Sequence, residues 1–300
     1  MRPGSAQSLA EIGFQYSSEA GLDDAPTGFE GLGLGFARFD VKGRLPIPLS
    51  KTEGRRSFLV VGGTYQFYLS EAIRVDGEVL VRRNELHTVG LPISFIQQFG
   101  RRWTAAAAFA PGLSGDFIEI RNESFRFLGS AFFTHRLNES LLLGGGVLVT
   151  NLFGEVLPLP YLRLSYIKPK LRIDLRLPRE ISFVWPATDW FELGVGGLVR
   201  LNYYSLTDRT IIDTPSDAIA TSQIELGLVA AFRVTEPLWF TLSGGPVLNR
   251  RFDFVDSDGD TLRDFGTDPA AFVQLTFEVR RPRPKGPDGE KTDAPAAPDI

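Results

Sequence analysis

Apolar and polar residues alternate with a period of two along most of this chain, and this feature constrains the fold more than any other. The clearest run is 171–177, where leucine or isoleucine occupies every odd position and arginine or aspartate occupies every even one. The runs 191–201, 224–232 and 271–278 alternate in a similar way. Successive side chains of a strand point to opposite faces, so the pattern predicts strands with one apolar and one polar face.

Short polar turns and longer connections separate the alternating runs. The pattern predicts about fourteen strands, with twelve as the alternative count. The fourteen segments lie near 11–20, 28–43, 57–70, 85–99, 103–114, 124–136, 140–152, 157–166, 170–178, 180–186, 190–205, 220–234, 238–254 and 267–280. Because short and long connections alternate, all the tight turns are expected at one end of the sheet.

Two kinds of all-β architecture fit such strands. One is a soluble β-sandwich or propeller, and the other is a transmembrane barrel whose apolar face meets lipid. Mean hydropathy is −0.02 and no run approaches the roughly 20 apolar residues of a membrane-spanning helix. In a barrel this average is expected, because the lipid-facing and lumen-facing halves of each strand cancel. Aromatic side chains beside tight turns suit an interfacial girdle. The predicted girdle comprises Trp103, Trp185, Trp190, Trp239 and Tyr166. We therefore predict an antiparallel up-and-down transmembrane β-barrel.

The ends of the chain lead to expectations about domains and compartment. We assign 1–8 to an N-terminal flank, 9–280 to the barrel, and 281–300 to a disordered periplasmic tail rich in proline and charge. Alternating short and long connections are typical of barrels in the outer membrane of Gram-negative bacteria. Such a barrel would contact outer-membrane lipid and be inserted by the barrel-assembly machinery. The first ten residues contain no apolar segment typical of a signal peptide, so we expect a processed start or further residues upstream.

Charged residues on the polar face are the candidate lumen residues. They are Arg126, Arg136, Arg163, Arg172, Asp174, Arg176, Glu192, Arg200, Glu225 and Arg233. In an open pore, this excess of arginine would favour anions. The alternative is that these charges pair with one another and fill a narrow barrel. The sequence does not decide between the two.

An acidic segment is the other local candidate. Carboxylates at Asp256, Asp258, Asp260 and Asp264 surround Gly259, which would suit Ca²⁺ because this ion prefers several oxygen ligands from a tightly turned loop. The segment lacks the spacing of an EF-hand, and an acidic hairpin tip with an Asp-Gly turn explains it more simply. No other cofactor is expected. The pI of about 5.4 and the dispersed charge give no reason to expect nucleic-acid binding.

Several segments resemble a known group of proteins. They are Leu91-Pro-Ile-Ser-Phe95, Trp103 with Phe109-Ala-Pro-Gly-Leu-Ser-Gly-Asp116, and Pro158-Leu-Pro-Tyr161 leading to Leu175-Arg-Leu-Pro178. This pattern is similar to uncharacterised bacterial outer-membrane β-barrel families, domains of unknown function related in style to the phenol-degradation meta-pathway channel-like proteins. The resemblance covers most of 28–280. It implies a barrel architecture and transfers no functional residue.

These observations favour a passive channel for small solutes. The alternative is a closed barrel that serves as a structural or surface-binding module through its acidic outer loops. An outer-membrane hydrolase is a third and weaker hypothesis, because His87 and His135 lie on different predicted strands without Cys or carboxylate partners at ligand spacing. We therefore do not expect an enzyme.

Overall fold

The computed structural model describes residues 8–23, 32–52, 55–74, 82–151, 156–207, 216–256 and 260–280. These residues form sixteen strand segments and one short 3-10 helix. The strand segments are β1 (Ser8–Asp23), β2 (Leu32–Thr52), β3 (Arg55–Arg74), β4 (Arg82–Gly90), β5 (Ile93–Phe99), β6 (Trp103–Gly115), β7 (Phe125–Arg136), β8 (Leu141–Thr150), β9 (Leu157–Lys168), β10 (Leu171–Leu177), β11 (Glu180–Pro186), β12 (Phe191–Ser205), β13 (Ala218–Arg233), β14 (Leu238–Val255), β15 (Thr261–Thr267) and β16 (Ala270–Arg280). The 3-10 helix is Asn122–Ser124. No helix in these ranges is long and apolar enough to span a membrane.

The sixteen segments make fourteen barrel strands, because two barrel strands are interrupted at proline. Pro92 separates β4 from β5, and both of these segments pair with β3 and β6. Pro269 separates β15 from β16, and both pair with β14 and β1. Proline lacks the N–H that a strand donates to its neighbour, so it interrupts a regular ladder. The prediction of about fourteen strands is confirmed.

Each barrel strand pairs antiparallel with its neighbours in sequence, and pairing between β1 and β16 closes the barrel. One end of the barrel holds the tight turns, including 100–102, 137–140 and 234–237. We call this the turn end, and β1 begins and β16 finishes there. The opposite end holds the longer connections, including 116–124 and 206–217, and we call it the loop end. The predicted alternation of short and long connections therefore places the tight turns together.

The outer face of the barrel is apolar. Large hydrophobic side chains there are well exposed, as at Phe133 (62%) and Leu228 (72%). The inner face carries most of the buried charged and polar residues. It is not uniformly polar, because Ile96, Phe132 and Tyr161 form a buried apolar cluster on the inner wall of β5 to β9. The structure thus has the two faces that the alternation predicts. It also has an apolar region inside the barrel that the alternation does not predict.

Two strands from opposite sides of the barrel touch at the loop end. The hairpin of β10 and β11 is short, with seven residues in each strand. On the loop-end side of this hairpin, Ser205 of β12 pairs in parallel with Gly115 of β6. The Asp116 N–H donates to the Ser205 carbonyl oxygen at 3.1 Å. Five strands, β7 to β11, separate β6 from β12 around the wall. A Cβ at Gly115 would lie 2.7 Å from that carbonyl oxygen, so glycine allows this close approach.

Candidate functional site

Aromatic rings cross the interior near the loop end. The rings, which we call the aromatic layer, are Phe36, Tyr68, Tyr204, Phe252, Phe254 and Phe265. The ring centroids of Phe36 and Tyr68 are 5.2 Å apart, and those of Tyr68 and Tyr204 are 5.9 Å apart. Tyr68 lies on β3 and Tyr204 on β12, and five barrel strands separate these two around the wall. Contact between nearly opposite walls means that the aromatic layer occupies the lumen at this level.

A cluster of charged and amide side chains lies below the aromatic layer, and we call it the central cluster. Its members are Gln15, Ser17, Arg38, Asp40, Arg200, Gln223, Glu225 and Arg250. Oε1 of Glu225 accepts hydrogen bonds from Gln15 Nε2 (2.8 Å), Arg200 Nε (2.7 Å) and Gln223 Nε2 (2.7 Å). The Glu225 side chain is fully buried. Glu225 is therefore the acceptor on which three strands converge.

The two remaining arginines of the central cluster extend it to β2 and to the aromatic layer. Arg38 donates from Nε to Asp40 Oδ2 at 2.8 Å and from Nη2 to Gln15 Oε1 at 2.6 Å. Arg250 donates from Nη2 to Ser17 Oγ at 2.6 Å, and its guanidinium lies 4.4 Å from the ring centroid of Phe36. The cluster and the aromatic layer thus form one continuous filling of the lumen.

A second charged cluster lies nearer the turn end, and we call it the turn-side cluster. It comprises Arg163, Arg172, Asp174, Arg176, Glu192, Trp239, Thr241, Glu278 and Arg280. Glu192 receives Arg172 Nη1 on Oε1 at 2.7 Å and Arg280 Nη1 on Oε2 at 3.3 Å. These partners come from β10, β12 and β16, so the pairing depends on the curvature of the closed wall. Ion pairs therefore span the interior at two levels.

Several buried polar atoms in the two charged clusters have no hydrogen-bond partner among the described residues. They include Oε2 of Glu225, Nη1 of Arg250, Nε and Nη1 of Arg163, and Nη2 of Arg280. Buried polar groups are normally satisfied by protein or by ordered water, since an unsatisfied one costs free energy. The arrangement can thus accept water or a small polar solute between its charged groups.

The structure brings seven of the ten predicted lumen residues into the clusters. Arg200 and Glu225 lie in the central cluster, and five others lie in the turn-side cluster. The Arg126 guanidinium instead lies 3.7 Å from the ring centroid of Tyr203, near the loop end. Arg136 and Arg233 lie at the turn end of their strands. Of the two arrangements that the sequence left open, mutual pairing of the charges is the one present in this structure.

The predicted girdle has one exception. Trp103, Trp185 and Trp190 are each about half exposed, and Tyr166 lies on the outer face of β9. Trp239 is buried inside, where the Arg280 guanidinium lies 4.3 Å from its ring centroid. Its assignment to the girdle was wrong, because Trp239 shares a face of β14 with the buried Thr241 and Ser243. Proximity to a turn does not by itself place a side chain on the outside.

The acidic segment lies only partly within the described residues, since Asp258 falls outside them. The Asp260 N–H donates to Asp256 Oδ1 at 2.9 Å, as at a hairpin tip. Asp264 forms an exposed ion pair with Arg251. No group of three or more potential metal ligands occurs in the described ranges. Calcium binding by this segment stays a prediction.

Sequence reasoning missed part of the interior. The unrecognised members are Gln15, Arg38, Asp40, Arg250, Glu278 and Arg280, together with the aromatic layer. Alternation in β16 could have revealed Glu278 and Arg280, which follow Gln274 and Thr276 on one face. Asn249 has a φ of 48° next to a register shift between β13 and β14, so a bulge changes the face at Arg250. No simple alternation could have predicted that change.

Residues 5–272 match a family model described as Domain of unknown function (DUF6268). No curated protein matches the chain.

Among solved structures, the chain is similar to the COG4313 outer membrane channel from Pseudomonas putida F1, with 13% identity, coverage of 94% of this chain and 100% of that one, and a TM-score of 0.46. The Pseudomonas putida toluene transporter TodX is 10% identical, with coverage of 93% of this chain and 90% of that one and a TM-score of 0.34. The translocator domain of the autotransporter NalP from Neisseria meningitidis is 8% identical, with coverage of 92% of this chain and 90% of that one and a TM-score of 0.35.

Proposed function

The chain belongs to the family described as Domain of unknown function (DUF6268), and we propose that it is an outer-membrane β-barrel that passes small solutes through a lumen closed in the conformation described above. An apolar outer face around a closed wall supports placement in a membrane. The tight turns at one end and longer connections at the other support the orientation of an outer-membrane barrel.

The observation that carries this proposal is the charged interior with unsatisfied buried atoms. Glu225, Arg163, Arg250 and Arg280 keep polar atoms without partners among the described residues. A barrel that serves only as a packed support gains nothing from such groups, because apolar side chains of similar volume would stabilise it as well or better. Charged groups that exchange partners with water and solute are what a polar path requires.

The lumen is closed at two places in this conformation. The aromatic layer spans it from β3 to β12, and the contact between Gly115 and Ser205 joins β6 to β12. Passage of a solute therefore requires both of these contacts to be separated at once, and loosening either one raises the fraction of time in which both are apart. Neither is covalent, and each lies next to the longer connections of the loop end, where a local rearrangement leaves most of the wall intact.

The closed interior also favours the second candidate function, a barrel that does not conduct and serves as a structural or surface-binding module. Solute-dependent swelling of liposomes distinguishes the two functions. The test compares the wild type with Phe36→Ala/Phe252→Ala, which removes two rings of the aromatic layer. We expect slow swelling for the wild type and faster swelling for the variant.

The control is Phe133→Ala/Phe240→Ala, which removes two rings from the outer wall, and we expect it to swell at the wild-type rate. Folding of each protein is checked by the shift in SDS gel mobility on boiling. If the wild type and Phe36→Ala/Phe252→Ala are both folded and inserted but both leave the liposomes sealed, the result would favour the structural module and contradict the channel.

A further inference from the structure

Exposed charge is distributed unevenly along the barrel axis. At the turn end, the exposed basic residues in the described ranges are Arg55, Arg56, Arg101, Arg102, Lys168 and Lys170, and the exposed acidic ones are Glu139, Asp189 and Glu236. At the loop end, the exposed acidic residues are Glu19, Asp23, Glu85, Glu119, Asp260, Asp264 and Asp268, and the exposed basic ones are Arg179 and Arg251. The turn end thus has six basic against three acidic exposed residues, whereas the loop end has two against seven.

Four of the basic residues form a group beside aromatic side chains. Arg55 pairs across the sheet with Phe99, and Phe99 pairs with Trp103, so these three residues lie in one row of neighbouring strands. Arg101 and Arg102 occupy the turn that joins Phe99 to Trp103, and Arg56 follows Arg55. Phe99 is 43% exposed and Trp103 is 51% exposed. We call Arg55, Arg56, Arg101 and Arg102 the basic group.

An aromatic residue with one apolar and one polar edge prefers the boundary between hydrocarbon and headgroups. Trp103 therefore marks the level of that boundary at the turn end, and Phe99 lies in the same row. Arginine side chains beside it extend their charged ends into the headgroup layer while their apolar stems remain against the wall. None of the four arginines forms an ion pair with another described residue, so their charge is available to the surroundings.

From this placement we propose that the basic group binds the headgroups of anionic phospholipids, and that the turn end therefore selects the leaflet that contains them. The negative surface potential of an anionic membrane attracts basic residues that lie within a Debye length of the surface. The acidic loop end has the opposite preference, because an anionic surface repels its carboxylates. Uneven charge thus gives the barrel a preferred lipid environment and a preferred orientation.

This inference rests on the membrane insertion in the proposed function but not on conduction of solutes. Quenching of tryptophan fluorescence by brominated lipid tests it. The full chain is folded into phosphatidylcholine vesicles that contain a minority of either brominated phosphatidylglycerol or brominated phosphatidylcholine. Trp185 and Trp190 are also exposed to lipid, so these two and Trp239 are replaced by phenylalanine in every protein compared, the wild-type reference included. The emission then comes from Trp103, which lies beside the basic group and reports the lipid composition there.

For the wild type, we expect about twofold stronger quenching by brominated phosphatidylglycerol than by brominated phosphatidylcholine, and a smaller difference at high salt. Arg101→Gln/Arg102→Gln should lose most of this difference, and Arg55→Gln/Arg56→Gln should lose part of it. The matched control is Arg121→Gln/Arg251→Gln, which removes two positive charges at the loop end and should keep the wild-type preference.

Equal quenching by the two brominated lipids in the folded, inserted wild type would overturn the inference and leave the proposed channel intact. A preference that survives in both variants of the basic group would also overturn it. If the chain fails to insert into vesicles of any composition, the membrane placement fails together with this inference.

Discussion

Replacement of Glu225 by alanine tests the central cluster directly. Oε1 of Glu225 accepts three hydrogen bonds, and one of the donors, Arg200, is charged. Removing the carboxylate leaves the Arg200 guanidinium inside the barrel without its paired counter-charge, whereas Arg38 keeps Asp40. Breaking a buried ion pair from one side costs about 3–5 kcal/mol, because the remaining charge is desolvated and uncompensated. We expect Glu225→Ala to lower the free energy of unfolding by about this amount.

Equilibrium unfolding in urea, followed by tryptophan fluorescence in vesicles, measures this change. The control is Glu236→Ala in the exposed turn 234–237, which should alter stability by less than about 0.5 kcal/mol. In the double variant Glu225→Ala/Arg200→Ala the losses should not add, since the two groups interact directly. A Glu225→Ala protein as stable as the control would refute the view that this carboxylate compensates the charge of Arg200.

Three further predictions concern other parts of the interior. Gly115→Val should speed hydrogen exchange of the Asp116 amide, because a Cβ at Gly115 would lie 2.7 Å from the Ser205 carbonyl oxygen that accepts its hydrogen bond. Gly63→Val should leave this exchange unchanged, since a Cβ at Gly63 would have no atom within 4 Å. Unchanged exchange in Gly115→Val would contradict the described contact. In a variant whose only tryptophan is Trp239, brominated acyl chains should quench the tryptophan fluorescence weakly, because this side chain is buried inside the barrel. In a variant whose only tryptophan is Trp103, they should quench it strongly. The reverse result would place Trp239 on the outer face. Glu192→Ala should lower the free energy of unfolding by about 3–5 kcal/mol, because it leaves the buried Arg172 without its carboxylate and Arg280 with Glu278 alone. A urea midpoint equal to that of Glu139→Ala, an exposed turn residue, would argue against the turn-side cluster.

The number and order of strands could be predicted from the sequence because each strand carries its own signal. Alternation identifies a strand with two different faces, and polar turns mark its ends. The strand interrupted at Pro92 was predicted as the single element 85–99, since the apolar pattern continues across the proline. The strand interrupted at Pro269 was predicted only from residue 267, so the assignment of most of β15 to a connection was wrong; Thr261–Thr267 has no regular apolar alternation that would indicate a strand. Local information was sufficient here because neighbouring barrel strands are also neighbours in sequence.

The filling of the lumen could not be predicted in the same way, because it depends on which inward residues meet across the barrel. Glu192 meets Arg280 from β16, a partner that is far away in sequence. Contact between Gly115 and Ser205 joins strands that are not adjacent, and one glycine gives no signal for it. The bulge at Asn249 changes the face of the residues that follow, so simple alternation misses Arg250. Charge pairing inside the barrel is thus a property of the closed wall.

Single-channel recording in planar bilayers tests most directly whether the closed lumen is a path for solutes. Wild type and Gly115→Val are inserted into identical bilayers, with Gly63→Val as the control for a change of glycine on the outer wall. We predict rare, brief conductance steps for the wild type and for Gly63→Val, and frequent or long-lived steps for Gly115→Val. Folded, inserted Gly115→Val protein that carries no current would contradict the proposed channel.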